Sequence, residues 1–260
     1  MERLALFTAT LCYLFGFAHT LFALGAGKFR PGRFNLAAVA LGAVAQGWWL
    51  SMRGAAEHSC PIANLPEILI FLSWSIALLY LVVGPAYRLS LMGAFTAPLL
   101  LILQIAALLL PDERRPACFR ANPWVETHAA LSLIAYGAFG LACIAGLMFL
   151  VQEGQLKSRR PAEIFHHLPP ISALADAIRR LAGIGFLLLT LSFVAGFLAH
   201  LGVAGGKFWA SLLIWLLYGA ILAGAWSGRL AGRRFASAVA ATFLLALILL
   251  PLIQQLSTKH

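Results

Sequence analysis

The stretch Leu65–Val83 reads LPEILIFLSWSIALLYLVV and carries a single charged residue, Glu67, near its start. A helix needs about 20 apolar residues to cross a hydrocarbon core about 30 Å thick, so this stretch predicts a transmembrane helix. Seven further segments have the same character: Leu4–Leu24, Phe34–Met52, Leu89–Leu110, His128–Val151, Leu181–Leu201, Phe208–Trp226 and Phe235–Ile253. The sequence therefore predicts an all-α fold, a polytopic helical membrane protein with about eight transmembrane helices in a single membrane domain over residues 1–260.

The composition excludes an ordinary soluble domain. Of the 260 residues, 62% are hydrophobic and 11% are charged, and the mean hydropathy is +0.89. Soluble domains carry about 45–50% apolar and about 25% charged residues. The net charge of +10 could suggest a nucleic-acid partner, but the chain has too few charged residues to build a binding face for nucleic acid, so no such partner is expected. Four cysteines without CxxC or zinc-ligand spacing exclude a disulfide scaffold.

Basic residues are distributed unequally between the two predicted sides of the membrane, which sets the orientation. One side collects Lys28, Arg30, Arg33, Arg88, Lys157, Arg159, Arg160, Arg179, Arg180, Arg229, Arg233 and Arg234. The other side collects Arg3, Arg53, Arg114, Arg115, Arg120, Lys207 and Lys259. Twelve against seven predicts both termini outside and a cytoplasmic loop over residues 152–180.

That loop is predicted to contain a short helix. Ser172 follows two prolines and is expected to cap a helix over Ala173–Leu181, in which Leu174 and Ile178 lie four residues apart. The pattern favours an amphipathic segment at the membrane interface. A solvated charge cluster that anchors the next span is the alternative.

Three histidines lie at about one depth on the predicted outer side: His128 and His200 at span edges, and His58 in a loop. Ionisable groups at the edge of hydrocarbon are functional candidates, and imidazoles of this kind could supply axial ligands to a haem. The alternative for each is a polar tip that meets lipid headgroups. His19 lies within the first span, either as a buried hydrogen-bonding residue or as part of a second, deeper site.

The start of the third span has a structural explanation. Asn64 is expected to cap the helix, Pro66 suits its first turn, and Glu67 favours its positive end. In the outer loops, Cys60 and Cys118 are predicted to form a disulfide, because an outer compartment is oxidising. Tryptophans such as Trp124 lie near span ends, as an aromatic belt requires, although aromatic side chains could also sandwich a porphyrin.

Two segments resemble the cytochrome c assembly membrane proteins. The residues from Pro61 to Trp74, PIANLPEILIFLSW, are similar to the family pattern P-x-S-N-L-Y-E-S-L-x-F-x-x-W. The residues from Pro123 to Ala138, PWVETHAALSLIAYGA, are similar to its W-L-x-x-H…S-Y-A segment. The resemblance extends over residues 58–245, and it implies that His128 is an outer-side haem ligand.

One family feature is largely missing. Haem-handling synthases carry a W-x-W-D-P-K-E loop, whereas here the loop between His200 and Trp209 retains only Lys207 of that motif. The synthases' second outer histidine has no counterpart after Trp226, which leaves His200 as a candidate replacement. The pattern resembles most the shorter, eight-span YpjD-like and HemX-like branch of the family.

The resemblance implies a haem-binding or haem-handling protein of cytochrome c assembly in the cell inner membrane. Non-covalent, b-type haem would lie at the outer face with His128 and either His200 or His58 on the iron, and Trp124 nearby. Basic side chains would pair with the propionates, because charge-assisted bonds suit carboxylates: Arg114, Arg115, Arg120 and Lys207. Such a protein would work with the lipid bilayer and other maturation proteins without forming thioether bonds itself. The alternative is a non-catalytic scaffold or regulator of the same fold that has lost haem handling.

Overall fold

The computed structural model describes residues 2–25, 33–57, 61–62, 64–86, 92–111, 122–158, 170–201 and 206–257. These residues form eight α-helices and, within the described ranges, no strands. The helices are α1 Glu2–Gly25, α2 Arg33–Glu57, α3 Leu65–Ala86, α4 Met92–Leu109, α5 Pro123–Ser158, α6 Ile171–Leu198, α7 Gly206–Trp226 and α8 Gly232–Ser257. Each of the eight predicted apolar segments therefore corresponds to one helix.

Six of the described helices are long and apolar enough to cross a membrane, namely α1, α3, α5, α6, α7 and α8. The apolar part of α4, Phe95–Leu109, is shorter. Helix α2 has the length, but polar residues interrupt it at Asn35, Gln46 and Arg53. The prediction of a polytopic helical membrane protein is confirmed.

The helices extend beyond the apolar segments that predicted them. Helix α2 continues to Glu57, and α5 runs 36 residues from Pro123 to Ser158, about 54 Å at 1.5 Å per residue. Backbone hydrogen bonding continues past the first charged side chain, where a hydropathy segment ends. The predicted loop 152–180 accordingly has helical residues at both of its ends.

The short helix predicted after Pro170 is wrong as a separate element. Helix α6 begins at Ile171 and is continuous to Leu198. The Leu174 N–H donates a hydrogen bond to the Pro170 carbonyl at 3.1 Å at the start of this helix. Ser172 lies within the first turn and is not the cap. The amphipathic pattern itself is real, because Leu174 and Ile178 are fully buried inside the protein.

The described chain forms two compact units, one of residues Met1–Cys118 with Val151–Leu174, the other of Phe119–Leu150 with Ala175–His260. In the first unit, α1 packs on α2 and α4, and α3 packs on the same two helices. Glycines permit this close approach, as small residues commonly do between membrane helices. The Tyr13 ring covers Gly42, and the Trp74 indole N–H donates to the Ala43 carbonyl at 3.0 Å.

A buried hydrogen-bond network joins α1, α2, α3 and α4 in the first unit. The Gln46 side chain accepts from the Tyr13 hydroxyl at 2.6 Å. Its amide nitrogen donates to Gln104 Oε1 at 2.6 Å and to Ser73 Oγ at 3.2 Å. Because hydrocarbon offers no water to polar groups, each of these side chains must find its partner within the protein.

The second unit contains α7, α8 and the greater part of α5 and α6. The Phe139 ring of α5 stacks on the Tyr218 ring of α7 with 3.6 Å between centroids. The Tyr218 hydroxyl donates to the Val239 carbonyl of α8 at 3.4 Å. On α6, Phe186 stacks on Trp215 of α7 with 5.2 Å between centroids. Two ring stacks and one hydrogen bond thus hold α7 against α5, α6 and α8.

Candidate functional site

The start of α5 fixes the position of the best-supported candidate ligand. The Asn122 side-chain oxygen accepts the Trp124 N–H at 3.1 Å, and the Asn122 carbonyl accepts the Val125 N–H at 3.0 Å. Pro123 occupies the first helical position, where its missing N–H costs nothing. The helix therefore begins five residues before the predicted span edge, which places His128 in the second turn.

Trp124 lies one turn before His128 on α5. Residues four apart share a face of a helix, so the indole and the imidazole lie on the same side. The Trp124 side chain is 48% exposed, and His128 is half-buried. These two predicted site residues therefore lie one turn apart on one face of α5.

The His128 ring is held against α6. Its Nδ1 lies 2.7 Å from the Ser192 carbonyl oxygen. A carbonyl oxygen can only accept, so Nδ1 carries the proton and donates it. In the neutral ring the lone pair is then on Nε2, which is the arrangement of a histidine that binds a metal through Nε2.

Two serines reinforce the contact between α5 and α6. The Ser132 and Ser192 hydroxyl oxygens are 2.6 Å apart, and Ser192 donates to the His128 carbonyl at 3.0 Å. Ser192 is fully buried. One turn further along α6, Gly196 leaves room for the ring, because a Cβ there would lie 2.8 Å from His128 Nδ1.

His200 lies two residues after the end of α6 and has a left-handed conformation with φ 54°. Its N–H donates to the Phe197 carbonyl at 3.0 Å, and the Leu201 N–H donates to the Gly196 carbonyl at 3.1 Å. These two bonds form a Schellman motif, in which the left-handed position usually holds glycine. His200 is exposed and lies at the same end of α6 as the His128 contact, although no hydrogen bond or ring contact joins the two imidazoles.

The remaining predicted site residues are untested. His58, Arg114, Arg115 and Arg120 lie outside the described residues, as do Cys60 and Cys118 of the predicted disulfide. Lys207 is the second residue of α7, and its side chain is outside the described set. No group of three or more histidine, cysteine or acidic side chains that could hold a metal ion occurs among the described residues.

The interpretation of His19 as a buried hydrogen-bonding residue is wrong. The His19 side chain is exposed, and its ring lies against Phe34 of α2 with 4.4 Å between centroids. The His19 ring therefore lies on the outside of the α1–α2 pair and not between the two helices.

A buried ion pair in the first unit was missed. Arg53 Nε donates to Glu67 Oε1 at 2.9 Å, and the two side chains are 2% and 1% exposed. Arg53, interpreted as a loop residue that orients the chain, lies in α2, where its guanidinium carbon is 5.7 Å from the centre of the Trp49 ring. The predicted Asn64 cap is confirmed, because Asn64 Oδ1 accepts the Glu67 N–H at 2.9 Å.

Helices long and apolar enough to cross a membrane, together with a histidine ring held by its Nδ1 contact, define a polytopic membrane protein with an oriented imidazole near the start of α5. The model of the family described as cytochrome C assembly protein matches residues 62–257, and the chain belongs to that family. The resemblance drawn from the Pro61 and Pro123 segments is confirmed.

The similar proteins include members named for cytochrome c biogenesis. Protein HemX of Brevibacillus brevis is 29% identical over 57% of this chain and 55% of its own length. Cytochrome c biogenesis protein CcsA of Synechococcus sp. (strain JA-2-3B'a(2-13)) is 27% identical over 65% of this chain and 68% of its own. The CcsA protein of Porphyra purpurea is 26% identical over 66% and 69% respectively. The chain thus spans just over half the length of HemX.

Proposed function

We propose that this chain is a haem-binding inner-membrane protein of cytochrome c assembly, which holds haem at the outer face through His128. The observation that carries the proposal is the 2.7 Å contact between His128 Nδ1 and the Ser192 carbonyl. In the neutral ring this contact places the lone pair on Nε2, and no described residue donates a hydrogen bond to that nitrogen. Family membership and the names of the relatives support the same role.

The residues present fit a haem ligand site. His128 would bind the iron through Nε2, and the exposed Trp124 indole on the same helix face would cover part of the porphyrin. Bound haem would supply redox-active iron. The protein would fix the ligand ring, cover the macrocycle and keep the group beside the membrane surface. His200 is the candidate second ligand, because it lies at the same end of α6.

The test is haem retention by the full chain purified in detergent from haem-replete cells. We expect a Soret absorption band in the wild type and loss of most of it in His128→Ala. His19→Ala is the matched control, because it removes an exposed imidazole from another helix and is expected to leave the band unchanged. A wild type without a Soret band, or equal bands in the two variants, would contradict the proposal.

The departure of the loop after His200 from the synthase motif favours the second candidate, a scaffold of the same fold without haem. The same purification distinguishes the two functions. A partner protein that copurifies with a haem-free chain would support the scaffold.

A further inference from the structure

Gly196 and Ser192 contribute to the site without offering a ligand atom of their own. We propose that they are positioning residues, Gly196 through the space it leaves and Ser192 through its backbone carbonyl, which hold the His128 ring in the Nδ1-protonated tautomer and leave Nε2 as an electron-donating ligand that favours ferric haem. The tautomer follows from the geometry of α5 and α6 alone, whereas the preference for ferric haem rests on the function proposed above.

The first step concerns space. A Cβ at Gly196 would lie 2.8 Å from Nδ1, 3.2 Å from Cε1 and 3.5 Å from Cγ of His128. A carbon atom there would therefore push the ring away from α6. Glycine at this position lets the imidazole edge reach the helix backbone.

The second step concerns the acceptor. The ring edge meets the Ser192 carbonyl at 2.7 Å and the Ser192 hydroxyl oxygen at 3.0 Å. The hydroxyl proton is directed to the His128 carbonyl at 3.0 Å, and the Ser132 hydroxyl lies 2.6 Å from Ser192 Oγ. The acceptors facing Nδ1 are thus held in place by both helices, and a proton on Nδ1 satisfies them.

The third step concerns the metal. A hydrogen bond from the outer ring nitrogen to a carbonyl raises the basicity of the inner nitrogen. Hydrogen bonding around the axial ligand is one of the means by which a protein sets the reduction potential of haem iron. An imidazole that donates more electron density to the iron stabilises the higher oxidation state, so this contact favours ferric iron.

The tautomer can be measured without haem. The full chain is labelled with ¹⁵N-histidine and placed in lipid nanodiscs, and the His128 nitrogen signals are assigned by comparison with His128→Gln. We expect a protonated Nδ1 and an unprotonated Nε2 in the wild type. A proton on Nε2 in the wild type would overturn the proposal, whatever the variants do.

The matched pair of variants is Gly196→Ala and Gly183→Ala. Both lie on α6, and a Cβ at Gly183 meets nothing within 4 Å. We expect Gly183→Ala to keep the wild-type nitrogen signals and Gly196→Ala to lose the Nδ1-protonated form. Ser192→Ala should keep that form, because the backbone carbonyl remains. Identical signals in the two glycine variants would overturn the proposal.

The haem-loaded proteins supply the second measurement. The reduction midpoint potential of Gly196→Ala should move to a more positive value or its haem content should fall, while Gly183→Ala matches the wild type. An unchanged potential and content in Gly196→Ala would overturn the link to ferric haem. A wild type that shows the expected tautomer and binds no haem would refute the proposed function and leave the positioning role intact.

Discussion

Arg53 and Glu67 form a buried ion pair between α2 and α3, with Arg53 Nε 2.9 Å from Glu67 Oε1. The two residues are fourteen positions apart in the sequence. Both side chains are almost completely removed from solvent. Charges at membrane depth are costly and occur where they find partners. The pair therefore links the end of one helix to the first turn of the next.

Glu67→Gln should lower the free energy of unfolding by about 3–5 kcal/mol, because it removes one of the two charges of a buried ion pair. Denaturant unfolding in mixed micelles measures the change. The control is Glu153→Gln, which breaks the more exposed pair with Lys157 at 2.8 Å, where the Lys157 side chain is 64% and the Glu153 side chain 21% exposed, and it should cost only about 0.3–0.5 kcal/mol. Losses of equal size would refute the idea that burial decides the effect.

Gln46→Leu should destabilise the first unit by about 1–3 kcal/mol, since interhelical hydrogen bonds in membranes contribute about 0.6 kcal/mol on average and three are lost here. Thr10→Val is the control, because the Thr10 hydroxyl donates to the Leu6 carbonyl within its own helix. Thermal unfolding in detergent followed by circular dichroism compares them. The prediction fails when Gln46→Leu unfolds at the same temperature as Thr10→Val.

Gly42→Ala should cost about 1–3 kcal/mol through overpacking, because a Cβ at Gly42 would overlap the Tyr13 ring. Gly154→Ala lies in α5 with nothing within 4 Å of its Cβ, and should gain up to about 1 kcal/mol from helix propensity. Opposite signs in the same unfolding assay are the expected result. A stabilising Gly42→Ala would show that the two helices are not in the close contact described.

His200→Gly should be more stable than His200→Ala by about 1 kcal/mol, because the left-handed conformation at φ 54° is costly for every residue with a Cβ. Both variants remove the imidazole, so their difference isolates the backbone. Their haem content relative to the wild type reports separately on whether His200 is the second ligand. Equal unfolding temperatures of the two variants would argue against the Schellman ending.

Local chemistry made much of this fold predictable. Long apolar runs identify all eight helices, and the Asn64 cap follows from residues within four positions of one another. The family resemblance rests on two short segments, and both the family and the polytopic membrane fold are confirmed. Even the errors at the helix ends have one cause, since a charged side chain ends an apolar run without ending a helix.

The missed features depend on which helices become neighbours. The sequence places Arg53 in a loop as an orienting charge and Glu67 in the next span, and only the packing of α2 on α3 pairs them. Gln46 likewise finds Gln104 across 58 positions. Hydropathy indicates that a polar residue in a span is costly to bury, but it does not indicate which residue is its partner. The role of Ser192 was unpredictable for the same reason, because its carbonyl meets a ring that lies 64 positions earlier.

The fit between Gly196 and His128 also has a consequence for how this sequence can diverge. If Gly196 is retained because it makes room for the His128 ring, the two positions should covary during evolution, because residues in contact tend to change together. Among relatives, we expect glycine at the position of Gly196 wherever the histidine equivalent to His128 is present. Where that histidine has been lost, the constraint is lifted, and alanine or larger residues should accumulate there.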